Sequence, residues 1–186
     1  QYITLGGRDA PGGVARIEAG SFGTVNGAAR VAGYSGDLDY ALSATVNTTD
    51  GTPSARNGTR DLANDSGAVS LKTTFAPTSN VRLTGVLRYA RTDAEFNDSD
   101  SDPASPTFGF QVDSPGNRFE NEAIYALVRG ELNLLDDHWT HALSAQIADT
   151  RRDGFVSTGR SYGSEGQRLK GSYDTTLRIE AGGLTH

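Results

Sequence analysis

Asp98, Asp100 and Asp102, alternating with Ser99 and Ser101, come nearest to a site by residue type and spacing. Carboxylate oxygens at alternate positions are hard donors of the kind calcium takes. The run lacks the glycine at the sixth position and the glutamate at the twelfth of an EF-hand loop. A solvated acidic loop is the favoured reading, with calcium as the alternative and no other cofactor indicated. A second set is Arg82, Arg88, Arg129, Glu131, Asp174, Arg178 and Glu180, charges that recur between apolar residues. Covalent chemistry finds no support. His138, His141 and His186 occur without a G-x-S-x-G, and neither a phosphate loop nor a dinucleotide fingerprint is present. No residue is assigned as catalytic, and the chain is not expected to be an enzyme.

The elements around these charges are strands. Leu38, Tyr40, Leu42, Ala44, Val46 and Thr48 alternate with Asp39, Ala41, Ser43, Thr45, Asn47 and Thr49. A period of two puts one set on each face of a strand, one apolar and one small and polar. The same alternation predicts strands near 13–21, 24–33, 38–49, 67–75, 81–92, 120–133, 139–150 and 168–181. The charges named above fall on the polar set. Connections near 35, 78, 136 and 183 are short, whereas 50–66, 93–118 and 151–167 read as long loops, alternating with them. Outer-membrane barrels sort their connections in this way. A soluble sandwich has no reason to. The fold class expected is an all-β antiparallel up-and-down transmembrane barrel segment. Tyr34, Tyr40, Tyr89, Tyr125, Trp139 and Tyr173, on strands or near their ends, supply the residue types of an interfacial aromatic girdle.

Composition leaves a membrane barrel and a water-soluble all-β protein both open, and excludes other classes. Of 186 residues only 35% are hydrophobic, and the mean hydropathy is -0.47. No run approaches the ~18 apolar residues of a membrane helix, but a barrel needs none, since alternate strand residues face water. The net charge of -6 without a basic stripe argues against nucleic acid. With no cysteine, disulfides and thiol catalysis are ruled out. The absence of methionine suggests an internal piece or a processed product.

Glu18-Ala19-Gly20-Ser21-Phe22-Gly23-Thr24, a Gly/Ala-rich strand, and then Leu38-Asp39-Tyr40-Ala41-Leu42-Ser43-Ala44 resemble the first barrel strands of TonB-dependent outer-membrane receptors. Asp137-His138-Trp139-Thr140-His141-Ala142-Leu143-Ser144 and Gln167-Arg168-Leu169-Lys170 are similar to that group's sixth-to-eighth strand region. The vitamin B12 and siderophore branch is the most alike. The resemblance implies that residues 1–12 close a plug domain and linker, and that 13–186 are about eight strands of a 22-stranded barrel. Most of the plug and the segment that meets the TonB complex would lie upstream. Implied partners are outer-membrane lipid, the plug, the remaining strands, the TonB complex and a small-molecule or metal-chelate ligand, in the outer membrane of a Gram-negative bacterium.

Under that resemblance the polar-face charges line a lumen, holding a plug and guiding an anionic cargo. The long loops carry the first ligand contacts, with Arg56, Asp61, Asp65, Phe108, Phe110 and Arg118 as candidates. Some relatives hold calcium in such loops, which adds Asp61 and Asp65 to the acidic run. Three alternatives stay open: a closed eight-stranded barrel, a β-rich fragment that self-assembles through open strand edges, and a soluble β-sandwich adhesin or carbohydrate binder.

Overall fold

The computed structural model describes residues 6–179; Gln1–Leu5 and 180–186, with Glu180, His186 and the short connection expected near 183, lie outside the described residues. Ten strands and no helix occur among them: β1 (Gly12–Ala19), β2 (Val25–Ser35), β3 (Leu38–Thr49), β4 (Asn64–Thr78), β5 (Val81–Glu95), β6 (Asp98–Ser99), β7 (Gln111–Val112), β8 (Arg118–Leu134), β9 (Trp139–Val156) and β10 (Gly159–Leu177). Eight of them form one antiparallel sheet in chain order, β1-β2-β3-β4-β5-β8-β9-β10. The remaining two pair as a small ribbon inside the connection between β5 and β8.

Each of these eight strands therefore pairs with the next of the eight in chain order, the up-and-down order expected. β1 and β10 are not paired with each other, so among the described residues the sheet is open at both edges. That corrects the closed eight-stranded alternative. The sandwich also fails, because no second layer lies against this sheet among the described residues.

Turns of two to four residues join the strands at one end: 36–37, 79–80 and 135–138. Gly36 adopts φ 56° in the first, a left-handed conformation that glycine enters without strain. At the other end lie the long connections 50–63 and 96–117, together with 20–24 and 157–158. We refer to these as the turn end and the loop end.

The long loop expected at 151–167 is absent. β9 runs on to Val156, β10 begins at Gly159, and residues 157–158 alone make the turn. Glycine and serine content suggested a loop here, but backbone pairing persists without apolar alternation. Register pairs Arg151 with Glu165 and Asp149 with Gln167.

Little is buried. Among the described residues the buried apolar ones are four alanines, Ala32, Ala41, Ala94 and Ala142. All four belong to the polar set of side chains, shielded by longer neighbours such as Lys72 opposite Ala41 and Asp174 opposite Ala142. Among the described residues no large apolar side chain is buried, and the sheet they form has no hydrophobic core.

Candidate functional site

Register fixes which side chains share a face, because residues directly opposite in an antiparallel pair project to the same side. One line across the sheet runs Val31, Leu42, Leu71, Leu87, Ala126, Ile147 and Leu169. Extended along each strand at alternate positions, it becomes a continuous apolar belt. Val81, Leu83, Leu87 and Tyr89 belong to it on β5, Ile124, Val128, Leu132 and Leu134 on β8, and Leu143 and Ile147 on β9. These side chains are exposed or half-buried; Leu143 is 65% exposed and Leu169 75%.

The belt is slanted. Its loop-side edge passes through Val25, Val46, Val69, Tyr89, Ile124, Ile147 and Leu169. Measured from the register line above, that edge falls from six residues beyond the line at Val25 to none at Leu169, across six strand steps. One residue per strand, at ~3.3 Å of rise and ~4.8 Å of strand spacing, is a slope of about 35°. Strands of outer-membrane barrels tilt by ~35–45° to the membrane normal. Nine residues from Val81 to Tyr89, so inclined, give a belt roughly 22–24 Å tall, against ~25 Å for such barrels.

Aromatic residues mark both rims of the belt. Tyr40, Phe75 and Trp139 lie at the turn end and Tyr89 at the loop side. The Trp139 indole donates to Thr175 Oγ1 at 3.0 Å. Of the six girdle candidates, Tyr34 and Tyr125 are on the opposite, polar face, beside Asp39 and Arg88 respectively.

Beyond Tyr89 the same face turns charged within one alternation. Arg91, Asp93, Glu120, Glu122, Arg151, Asp153 and Glu165 continue the rows of the belt. Cross-strand pairs link them in a ladder, Arg91 to Glu120 at 3.2 Å, Arg118 to Asp93 at 2.7 Å and Arg160 to Asp153 at 2.5 Å, and within β9 Arg151 pairs with Asp153 at 2.8 Å. Arg118 also pairs with Glu120 and lies over the Phe155 ring at 4.2 Å. Two ligand candidates are thereby placed in strands rather than loops. Arg118 is in this ladder, and Asp65 stands on the same face, accepting from the Thr48 hydroxyl.

The opposite face is polar. Arg82, Arg88, Arg129, Glu131 and Asp174 all belong to it, as their register partners show: Arg82 opposes Glu131, Ser70 opposes Arg88, and Ala142 lies between Glu131 and Asp174. Arg129 pairs with Glu131 at 3.0 Å. Arg82, Glu131 and Arg178 border a polar concavity of about 710 Å³ at the turn end, with Asp37, Asp137 and Thr140.

Residues 6–10 lie against this polar face at β2 and β3. The Arg8 amide donates to Asp39 Oδ2 at 2.9 Å, and the Gly7 amide donates to the other oxygen of that carboxylate. Arg30 Nη1 donates to the Ala10 carbonyl at 2.8 Å. Gly7 has no room for a side chain: a Cβ would stand 1.9 Å from the Gly33 carbonyl oxygen and 2.4 Å from that of Tyr40.

At the loop end, the two long connections form one hydrogen-bonded unit. Arg60, its side chain 15% exposed, pairs with Glu95 at 3.1 Å. It also donates to the carbonyls of Phe96 and Asn117, at 3.1 and 3.3 Å, and to Asn97 Oδ1 at 3.2 Å. Asp113 Oδ2 accepts from the amides of Thr59 and Arg60, while its Oδ1 is buried without a hydrogen-bond partner. Sequence reading missed this unit; Arg60, Glu95 and Asp113 are far apart in the chain and no local pattern links them.

The acidic run sits at the edge of that unit. Asp98 accepts from Asn117 Nδ2, Asp100 from the Asp102 amide and the Thr107 hydroxyl, and Asp102 from the Ala104 amide. Hydrogen bonds from Ser105, Thr107 and the Asp102 amide hold the Asp100 carboxyl below its usual range. The three carboxylates shape their own turns and do not converge. Among the described residues no three acidic or histidine side chains gather as a metal site. Of the other loop candidates, Asp61 is exposed, Arg56 lies over the Phe110 ring at 4.5 Å, and Phe108 is exposed two residues away.

Comparison with family models, curated proteins and solved structures returns no match for this chain.

Proposed function

We propose that this chain is a stretch of the wall of an outer-membrane β-barrel of the TonB-dependent receptor type. In its intact form, such a receptor binds a scarce ligand, a siderophore, cobalamin or similar compound, at the loop end and imports it past the polar face. The slanted apolar belt carries the reading. A single sheet that exposes a rimmed apolar band ~22–24 Å tall is suited to lipid on that side, and its slope matches the tilt of barrel strands. Charge begins where the band ends. The lead-in segment at residues 6–10 lies on the polar side, where a plug upstream would sit.

One experiment tests the reading: the native polypeptide is followed through membrane fractionation and its intact mass is measured. The expected result is an outer-membrane polypeptide several times longer than these residues, with an electrophoretic mobility that shifts on heating. A buffer-soluble monomer overturns it.

The open edges support a second reading. Among the described residues one side of the nineteen-residue β10 has no partner strand, a template for another chain. Edge-to-edge assembly predicts detergent-insoluble fibres with the ~4.7 Å cross-β spacing. Detergent-soluble outer-membrane material eliminates it.

A further inference from the structure

The concavity of about 710 Å³ at the turn end of the polar face falls within the ~300–1,000 Å³ range of small-ligand sites. Its charges alternate in sign along the strand order: Asp37 in the β2–β3 turn, Arg82 on β5, Asp137 in the β8–β9 turn and Arg178 just past β10. None of these four side chains makes an ion pair or a hydrogen bond among the described residues. Register accounts for Arg82, whose facing carboxylate, Glu131, is taken by Arg129 at 3.0 Å. Asp137 is held against a backbone preference. Leu135, Asp136 and Asp137 follow one another at φ 54°, 52° and 68°, the left-handed region that residues with side chains disfavour. The Arg178 amide donates to the His138 carbonyl at 2.7 Å, which ties the end of β10 to that turn.

Backbone strain of this kind collects at sites where a side chain is held ready for a ligand. A purely anionic ligand would meet Asp37, Glu131 and Asp137, and a purely cationic one Arg82 and Arg178. An apolar ligand would strip water from all of them and replace none of its hydrogen bonds. A ligand with an ammonium and a carboxylate answers both signs through charge-assisted hydrogen bonds. Thr140 adds a hydroxyl that can donate or accept. The spacing sets the length of such a ligand. Asp37 and Arg82 are two strand steps apart, or ~10 Å at ~4.8 Å per step, which about three extended residues span. We propose that this concavity is a binding site for a short peptide with free termini. The inference goes beyond the barrel-wall reading and does not depend on it.

The test titrates the native polypeptide, held in neutral detergent, with trialanine by calorimetry. Trialanine is expected to bind. N-acetyl-trialanine and trialanine amide, which each lack one charge, are expected to bind about tenfold more weakly. Asp37→Asn with Asp137→Asn is expected to weaken trialanine and its amide and to spare the acetylated peptide; asparagine also tolerates the left-handed turn. Arg82→Gln with Arg178→Gln is expected to weaken trialanine and its acetylated form and to spare the amide. Arg91→Gln, on the belt face at the loop end, is expected to bind as the parent does. Absence of trialanine binding overturns the inference, as does equal binding of the three peptides or an unchanged affinity in both double variants.

Discussion

The two faces of the sheet share one backbone and differ only in the parity of their side chains. On the belt face, Leu42, Leu87, Leu143 and Leu169 stand exposed; on the other, Thr45, Arg88, Ser144 and Lys170 occupy neighbouring positions of the same strands. The inter-strand hydrogen bonds satisfy the backbone whichever solvent each face meets. A slip of one residue would exchange the faces entirely. What the contrast teaches is that this sheet has no inside in the usual sense. Its stability depends on what lies against each face, and the two require different surroundings.

The sharpest way to break the comparison is to place the same charge on either side of one strand. In detergent or lipid, Leu42→Arg at the middle of the belt is expected to destabilise by about 2–4 kcal/mol. Thr45→Arg, exposed on the polar face between Ala28 and Ala68, is expected to change stability little. Denaturant unfolding of both variants checks this; equal costs would mean that the faces are not distinguished by lipid.

A smaller effect is expected where the chain enters across the polar face. Gly7→Ala forces a methyl group onto two backbone carbonyls and is expected to cost about 1–3 kcal/mol. Proteolytic cleavage near residues 6–12 should then become faster while the belt is unaffected. Unchanged protection would show that the Asp39 clamp does not hold this segment.

The least effect is expected from pH. The Asp100 carboxyl is depressed in the folded chain by its hydrogen bonds, so its contribution is complete above the ordinary carboxylate pKa and is lost as pH falls through the depressed value. Amide exchange in residues 96–117 should therefore stay slow through mild acid and rise only at lower pH. In Asp100→Asn that acid step should be missing. The belt should show no matching step, since Leu42, Leu87 and Leu143 do not titrate.

The fold was legible wherever the belt runs. β3 was read at its observed bounds, Leu38–Thr49, because apolar alternation spans all of it. On β4, β5, β8 and β9 the strands proved longer toward the loop end than alternation suggested. There the belt stops and charge ladders take over, so the pattern that betrays a strand ends before its hydrogen bonds do. The polar-face charges were recognised from parity alone. Arg60, Asp113 and the hold of Arg30 and Asp39 on residues 6–10 were not, because each depends on contacts between distant parts of the chain. The acidic run at 98–102 misled in the opposite way: its spacing suits a cation, but each carboxylate turns to a nearby backbone amide, hydroxyl or side-chain amide.

On the barrel-wall reading proposed above, the slant of the belt would also make the protein a gauge of membrane thickness. A band of roughly 22–24 Å is shorter than the ~30 Å hydrocarbon layer of an average bilayer. In a thick bilayer the lipid would have to thin around it or the Tyr89 and Trp139 rims would be dragged under, at a cost that rises with each ångström of mismatch. Thin membranes, the bacterial outer membrane among them, impose no such cost, so height alone would sort this sheet toward them.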